Sequence, residues 1–172
     1  LEEILRVEKL SKQFVKKYML SSNISMVKAV EDVSFSLYNG EVLVIAGESG
    51  SGKSTIAKLI LGAIDSDSGE IFFEGKKSND EPNILKKIRM QCQMVYQDPY
   101  DSINPRMKVA DIISEPLEIH NIGDNLERKK IVLDALREVK LEPAEDIANK
   151  HPHMLSGGQR QRVVLARALV LR

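Results

Sequence analysis

Two stretches in the first third of the chain differ in how apolar and polar residues follow one another. Residues 33–37 alternate between the two classes, which predicts a half-buried antiparallel strand. Residues 42–46 are apolar throughout, which is typical of a central strand covered on both faces. Asn39-Gly40 lies between them and is a strong turn signal. The pattern therefore predicts two strands joined by a hairpin turn.

The rest of the chain predicts short strands first and helices later. A period of 3.6 residues, typical of helices, covers 109–120 and 126–139. The other predicted elements, in chain order, are a strand over 5–14, a polar loop over 16–25, a helix over 53–61, a turn over 65–69, a strand over 70–73, a helix over 84–90, a strand over 93–96 and a final helix from Gln159. This order predicts a mixed α/β core, a helical insert and a last helix.

Composition restricts the class of protein. The chain has 172 residues, enough for one domain with a buried core, and 25 Lys and Arg residues balance 25 Asp and Glu residues. This balance gives no positive field, so no nucleic-acid partner is expected. The single cysteine, Cys92, is interpreted as a small buried residue in a reducing compartment. The chain shows no signal peptide and no apolar run of about 20 residues, which predicts a soluble, cytosolic protein.

A phosphate-binding loop is predicted between the apolar run 42–46 and the first helix. The stretch GESGSGKS, residues 47–54, fits the pattern G-x-x-x-x-G-K-[ST] at every fixed position. Its glycines allow backbone conformations in which successive N–H groups point at one anion. Lys53 adds a charge for the outer phosphates, and the Ser54 hydroxyl can bind Mg²⁺. The predicted nucleotide contacts are Gly47, Glu48, Ser49, Gly50, Ser51, Gly52, Lys53, Ser54 and Thr55.

The sequence contains no GTPase motif for reading the base of the nucleotide. The only Asn-Lys pair, Asn149-Lys150, is followed by His151 and Pro152 and so fails the pattern N-K-x-D. Phe14, placed in the loop after the first strand, is a candidate for stacking on adenine, because a flat apolar ring suits the face of a base. A position in the core explains Phe14 nearly as well.

A second candidate anion site precedes the last helix. Ser156 is a good N-cap, and Gly157 and Gly158 leave their backbone N–H groups sterically open. The helix that follows from Gln159 would present a positive end to an anion. Taken alone, however, Ser-Gly-Gly is better explained as the start of an ordinary capped surface helix.

The combination of motifs resembles the ATPases of ATP-binding cassette (ABC) transporters. LSGGQ, residues 155–159, is similar to their signature motif, residues 47–55 resemble their Walker A loop, and Gln97 resembles their Q-loop glutamine. The three motifs also follow in the same order, and the resemblance covers nearly the whole chain. Residues 94–117 and 151–162 look most like the oligopeptide and dipeptide importer branch.

The resemblance implies an α/β P-loop NTPase fold with a mixed sheet. Residues 1–97 would form the antiparallel β-subdomain and ATP-binding core, 98–155 the helical subdomain, and 156–172 the signature motif with its helix. The family pattern continues with a Walker B strand, a catalytic glutamate and a switch histidine, which have no counterpart here. The ATPase core is therefore expected to be incomplete at its carboxyl end, and residues 42–46 to expose an unpaired edge.

The resemblance also implies that two subunits pair head to tail, with each ATP between the Walker A loop of one and the signature motif of the other. Lys53 and Gln97 would be catalytic, and Ser54 and Gln97 would bind Mg²⁺. The implied partners are a second ATPase subunit, identical or paralogous, and transmembrane permease subunits at the cytoplasmic face of the membrane. The residues expected to contact the nucleotide in trans are Ser156, Gly157, Gly158 and Gln159.

Three functions remain open on this basis. The first is the ATPase subunit that powers a peptide importer. The second is an ATP-binding fragment that does not hydrolyse, because the water-activating glutamate is absent. The third is a soluble ABC protein of DNA repair or translation, which the neutral charge, the single compact domain and the importer-like stretch after Gln97 disfavour.

Overall fold

The structure is a computed structural model that describes residues 2–17, 24–78, 82–98 and 102–172. It divides into two compact units, Leu1–Cys92 and Gln93–Arg172, and each has its own hydrophobic core. Within the described residues, the strands all belong to the first unit, whereas the second contains only helices. The three-part division expected from the sequence stays a prediction.

The first unit contains a four-stranded antiparallel sheet with the strand order β2-β1-β3-β4. Its elements are β1 (Glu3–Lys17), β2 (Ile24–Tyr38), α1 (Lys53–Ile60), β3 (Ser68–Phe73), β4 (Lys76–Lys77) and α2 (Pro82–Gln91). The helices predicted over 53–61 and 84–90 are thus confirmed, as are the strands predicted over 5–14, 33–37 and 70–73.

Apolar side chains from the sheet and from both helices form the core of the first unit. Cys92 packs half-buried against this core, and burial raises the pKa of its thiol. A protonated thiol is unreactive at neutral pH, which agrees with a structural role for Cys92. The buried core residues are Leu5, Val7, Leu10, Val30, Ile56, Leu59, Ile71, Phe73, Ile84 and Ile88.

A bulge in β1 changes which of its residues face the core. Between Val7 and Leu10, β1 has one residue more than the neighbouring strand β2. Lys9 takes a positive φ of 48° there, and its N–H donates to Ser34 Oγ at 2.8 Å. Val7 and Leu10 are three positions apart, yet both are buried, because the extra residue shifts the alternation of inward and outward side chains by one.

Gly69 of β3 lies against this bulge, and we expect Gly69→Ala to destabilise the full-length protein by about 2 kcal/mol. Its φ is +90°, and a Cβ would lie 2.4 Å from Lys9 O and 2.6 Å from Glu8 O. Gly75→Ala is the control, since Gly75 has a φ of +75° but nothing within 4 Å of a Cβ, and should cost only about 1 kcal/mol. Urea denaturation measures both losses. Equal losses would show that the contact with the bulge is unimportant.

The apolar run 42–46 does not form the predicted central strand, so that prediction is wrong. It has no ladder partner among the described strands, and Val42 and Val44 are 87% and 77% exposed. A fully buried strand is stabilised by neighbours at both edges and by layers on both faces, and apolar composition does not supply them. The unpaired edge expected for this run is present as an exposed apolar segment rather than as a strand.

The structure also decides two further predictions, the strand over 93–96 and the hairpin turn at Asn39-Gly40. The strand predicted over 93–96 is not formed, and Val95 is 50% exposed, so this prediction is wrong for the same reason. The turn at Asn39-Gly40 is confirmed, because the Glu41 N–H donates to Tyr38 O at 3.0 Å. It does not connect two strands, however, since no strand follows it.

The first two strands are longer than the sequence predicted. The expected loop over 16–25 is wrong at both of its ends, because β1 continues to Lys17 and β2 begins at Ile24. Residues 18–23 lie outside the described residues. Phe14 consequently lies within β1 rather than in a loop after it, and with 42% exposure it is not a core residue.

The second unit is built from helices around a continuous apolar core. Its elements are α3 (Val109–Ile119), α4 (Asn125–Glu138), α5 (Ala144–Ala148), a 3₁₀ turn (Pro152–Met154) and α6 (Gly157–Leu169). The two helices predicted over 109–120 and 126–139 are confirmed, and the last helix begins two residues earlier than expected. None of the helices within the described ranges has the length and apolar character needed to cross a membrane.

Candidate functional site

The loop of residues 47–52 leads directly into α1 and leaves the first turn of that helix open. Gly52 is the N-cap, with a φ of 90°, and a Cβ there would lie 1.9 Å from the carbonyl oxygen of Ala29 in β2. Glycine therefore sets how closely the loop approaches the sheet. The cap has no side chain and the first turn of α1 contains no acidic residue. The N–H groups of that turn thus keep their partial positive charge.

The Lys53 ammonium folds back onto this loop. It donates to Gly47 O at 2.8 Å, to Glu48 O at 2.5 Å and to Ser51 Oγ at 3.1 Å. The Ser51 N–H in turn donates to Glu48 O at 3.2 Å, which closes a turn inside the loop. A full positive charge is therefore held among the loop atoms, beside the open N–H groups of α1, which is an arrangement suited to an anion.

Ser54 and Thr55 occupy the first turn of α1, as the motif predicts. Ser54 is exposed, so its hydroxyl is accessible to a cation, whereas Gln97 is exposed in the second unit. Within the described ranges, no group of three or more His, Cys, Asp or Glu side chains could hold a metal ion. A cation at Ser54 would therefore need ligands of another kind, such as phosphate oxygens and water.

Phe14 lies near the end of β1, opposite Val27 of β2, and its ring is accessible. The Lys12 ammonium lies 5.8 Å from the ring centroid. Asp67 anchors this part of β1 by accepting hydrogen bonds from Lys12 Nζ at 2.8 Å and from the Gln13 N–H at 2.6 Å. The Lys12 hydrogen bond, and then that of Gln13, lowers the pKa of the Asp67 carboxyl, so this anchor is charged at neutral pH.

The start of α6 is closed by a reciprocal cap. The Gln159 N–H donates to Ser156 Oγ at 3.3 Å, and the Ser156 N–H donates to Gln159 Oε1 at 2.9 Å. Gly157 and Gly158 are exposed, and a Cβ at either position would meet no atom within 4 Å. The first turn again lacks acidic residues. Packing within the chain therefore gives no reason for glycine at these two positions, and their N–H groups are open to an anion.

Arg162 and Arg167 anchor the later turns of α6 to other parts of the second unit. In the sequence they are recognisable only as polar positions on the helix. Arg162 Nη1 donates to two carbonyl oxygens just after α4, at 3.3 and 3.1 Å. Arg167 donates to Ser102 O at 3.1 Å and to Glu115 Oε2 at 2.7 Å. These contacts could not be predicted from the sequence, because most of the acceptors are backbone carbonyls, which every residue type has.

The structure thus brings the predicted phosphate-loop residues together around Lys53 in the first unit, and the signature residues together at the start of α6 in the second. A family model described as ABC transporter matches residues 30–172. The chain belongs to the ABC transporter family. The match includes both glycine-rich helix starts and Gln97, and it begins after Phe14.

Two curated members of the ABC transporter family are similar to nearly all of this chain. "Probable peptide ABC transporter ATP-binding protein y4tS" of Sinorhizobium fredii is 42% identical over 173 residues, which cover 99% of this chain and 48% of that protein. "Oligopeptide transport ATP-binding protein OppF" of Bacillus subtilis is 41% identical over 173 residues, covering 99% and 54% respectively. This chain therefore spans about half the length of these relatives.

Among solved ABC structures, the chain is similar to the dimeric structure of a post-hydrolysis state of the ATP-binding cassette MJ0796 bound to ADP and Pi. The TM-score is 0.78 and the identity 32%, covering 97% of this chain and 69% of that one. The fold is that of an ABC ATPase cassette, with its antiparallel sheet and helical region. The α/β fold class expected from the sequence is confirmed.

Proposed function

We propose that the protein containing this chain binds and hydrolyses ATP to power an ABC importer of oligopeptides or dipeptides. One observation carries the proposal: two helix starts, at Gly52 and at Ser156, are each opened by glycines and contain no acid in the first turn. The N-terminus of each helix suits an anion. A nucleotide that contacts the Gly52 start of one subunit and the Ser156 start of another would explain why the chain has both. The names of similar proteins support peptide cargo.

Each residue of the first site has a proposed role at the nucleotide. The N–H groups of residues 47–52 surround the phosphates, and Lys53 adds its charge there. Ser54, Gln97 and phosphate oxygens hold Mg²⁺, which when bound supplies charge neutralisation at the outer phosphates. Phe14 stacks on the base. The proposed nucleotide contacts are Phe14, Gly47, Glu48, Ser49, Gly50, Ser51, Gly52, Lys53, Ser54 and Thr55.

The second site acts on a nucleotide held by another subunit. Glycine at positions 157 and 158 is explained by a ligand that approaches their N–H groups from outside the chain. Sharing the phosphate charge between two helix N-termini and Lys53 favours head-to-tail pairing, and loss of the terminal phosphate favours separation. The dimeric structures of a similar cassette support this arrangement. The proposed contacts in trans are Ser156, Gly157, Gly158 and Gln159.

Permease subunits complete the proposed assembly. The protein would lie at the cytoplasmic face of the membrane as a peripheral subunit, because the similar proteins are named as ATP-binding components of peptide transporters. Residues 98–106, of which 99–101 lie outside the described residues, would pass a change at the nucleotide to the permease.

Uptake of a labelled oligopeptide by cells tests this function. Cells without the gene should lose uptake, the full-length protein should restore it, and its Lys53→Ala variant should not. If purified protein hydrolyses ATP but peptide uptake is unchanged in cells without the gene, the cargo assignment is wrong and the ATPase assignment stands.

The base site gives a separate prediction. Phe14→Ala should weaken ATP binding to the full-length protein about tenfold, because stacking of a base on an aromatic ring contributes about 1–3 kcal/mol. Binding of inorganic tripolyphosphate, which has no base, should be unchanged. Phe14→Tyr should bind ATP normally. Val15→Ala is the matched control, since Val15 is also exposed but faces the opposite side of β1. An equal loss of ATP and tripolyphosphate binding would contradict stacking.

A further inference from the structure

A side chain from within α6 holds the residues that precede that helix. Arg160 Nε donates to Pro152 O at 2.9 Å and to Leu155 O at 3.1 Å, and Nη2 donates to Leu155 O at 2.8 Å. The Arg160 side chain is half-buried in this position. One guanidinium thus joins the 3₁₀ turn to the residue directly before the cap.

Leu155 is fixed both through its side chain and through its carbonyl oxygen. Its side chain is 4% exposed and belongs to the core of the second unit, while its carbonyl oxygen accepts both hydrogen bonds from Arg160. Leu155 directly precedes Ser156, so its orientation sets the angle at which the chain enters α6. Gly157 and Gly158 are the first two residues of α6, so the directions of their N–H groups follow from the angle at which that helix begins.

We propose that Arg160 is a positioning residue that holds the signature turn in the shape that receives the nucleotide of the partner subunit. This inference rests on the proposed function, because it takes the contact in trans as given. Nε and Nη2 of the guanidinium both donate to the backbone of its own chain, and in this inference Arg160 therefore acts on the turn. A planar group with two donors aimed at one carbonyl suits this task better than a single ammonium.

The test compares Arg160→Ala, Arg160→Lys and Arg162→Ala in the full-length protein, with the non-hydrolysable analogue AMP-PNP as the probe. Arg162 is a matched control, because it lies on the same helix and also donates to two backbone carbonyls, but those lie just after α4. Three quantities are measured: the affinity of dilute single subunits for AMP-PNP, the protein concentration at which half of the subunits are paired, and the melting temperature.

Arg160→Ala should raise the concentration for half pairing at least tenfold and leave the affinity of single subunits for AMP-PNP unchanged. Arg160→Lys should raise it only about threefold, because lysine retains the charge and can donate to one carbonyl. Arg162→Ala should change it less than twofold, even if the melting temperature falls as far as in Arg160→Ala.

Two outcomes would overturn the role of Arg160. If Arg160→Ala and Arg162→Ala impair pairing in proportion to their loss of thermal stability, Arg160 is a structural residue only. If Arg160→Ala pairs normally while Ser156→Arg does not, the signature turn receives the nucleotide without the hydrogen bonds from Arg160. A different result, in which neither Arg160→Ala nor Ser156→Arg affects pairing, would overturn the proposed contact in trans and the inference with it.

Discussion

Replacing Lys53 with alanine is expected to lower the affinity of the full-length protein for ATP at least a hundredfold. The Lys53 ammonium is the one side-chain cation that the described structure places against the loop, within 3.1 Å of three loop oxygens. Hydrogen bonds to a charged group contribute about 1.5–3 kcal/mol each, and two lost bonds to phosphate oxygens give an effect of this size. Titration with a fluorescent ATP analogue measures the affinity.

Lys58→Ala is the matched control for this prediction. Lys58 lies on the same helix but in its last turn, so its removal changes the net charge equally without touching the loop. ATP affinity should stay within about twofold, because a charge at the other end of the helix is largely screened by salt. If Lys53→Ala bound ATP as tightly as Lys58→Ala, the loop would not be the phosphate site.

Ser156→Arg is expected to abolish nucleotide-driven pairing while single subunits still bind ATP. Ser156 is exposed at the start of α6, and arginine would place a bulky side chain where the partner's nucleotide is proposed to lie. The phosphate loop belongs to the other unit of the chain and contains no residue of this cap, so binding to a single subunit should change less than twofold. Analytical ultracentrifugation with AMP-PNP measures pairing, and a titration at low protein concentration measures binding.

Two smaller substitutions separate loss of the cap from obstruction of the site. Ser156→Ala removes the oxygen that accepts the Gln159 N–H and should cost about 1 kcal/mol of stability, with pairing retained in part. Ser156→Thr keeps that oxygen and should pair normally. Undiminished pairing by Ser156→Arg would mean that the signature turn does not face a second subunit.

The helices of this chain could be predicted from the sequence because each depends mainly on its own residues. The helices α3 and α4 begin and end within a residue of their predicted bounds, since each has an apolar stripe that is visible in its own residues. In α4 the cap is explicit: Asp124 accepts from the N–H groups of Leu126 and Glu127 at 2.8 and 2.9 Å. Such local signals are readable in a single sequence.

The strands were harder to predict because a strand depends on what lies beside it. Residues 42–46 and 93–96 have suitable composition, but no described strand pairs with them, and they remain unpaired. The bulge in β1 was missed for a similar reason. The positive φ of Lys9 is accommodated by an acceptor on the neighbouring strand, Ser34 Oγ, and by the missing side chain of Gly69 on the other side. Nothing near Lys9 in the sequence indicates either partner.

The candidate site also has features that could be predicted from the sequence and features that could not. Its glycines and Lys53 could be named from the motif, because the chemistry of phosphate binding requires those residue types at that spacing. Two contacts of the site could not be predicted, because both involve backbone oxygens. They are the close approach of Gly52 to Ala29 and the hydrogen bonds from Arg160 to Leu155. The expected roles of the site residues stay predictions until the variants described above are measured.

The exposed run that includes Val42 and Val44 also bears on how this chain behaves in concentrated solution. Its backbone N–H and C=O groups lack ladder partners among the described strands, and most of its apolar surface faces water. Such a segment is a template for adding a foreign strand. A preparation of residues 1–172 alone is therefore expected to associate through this run, and a charged residue in place of Val44 should reduce that association.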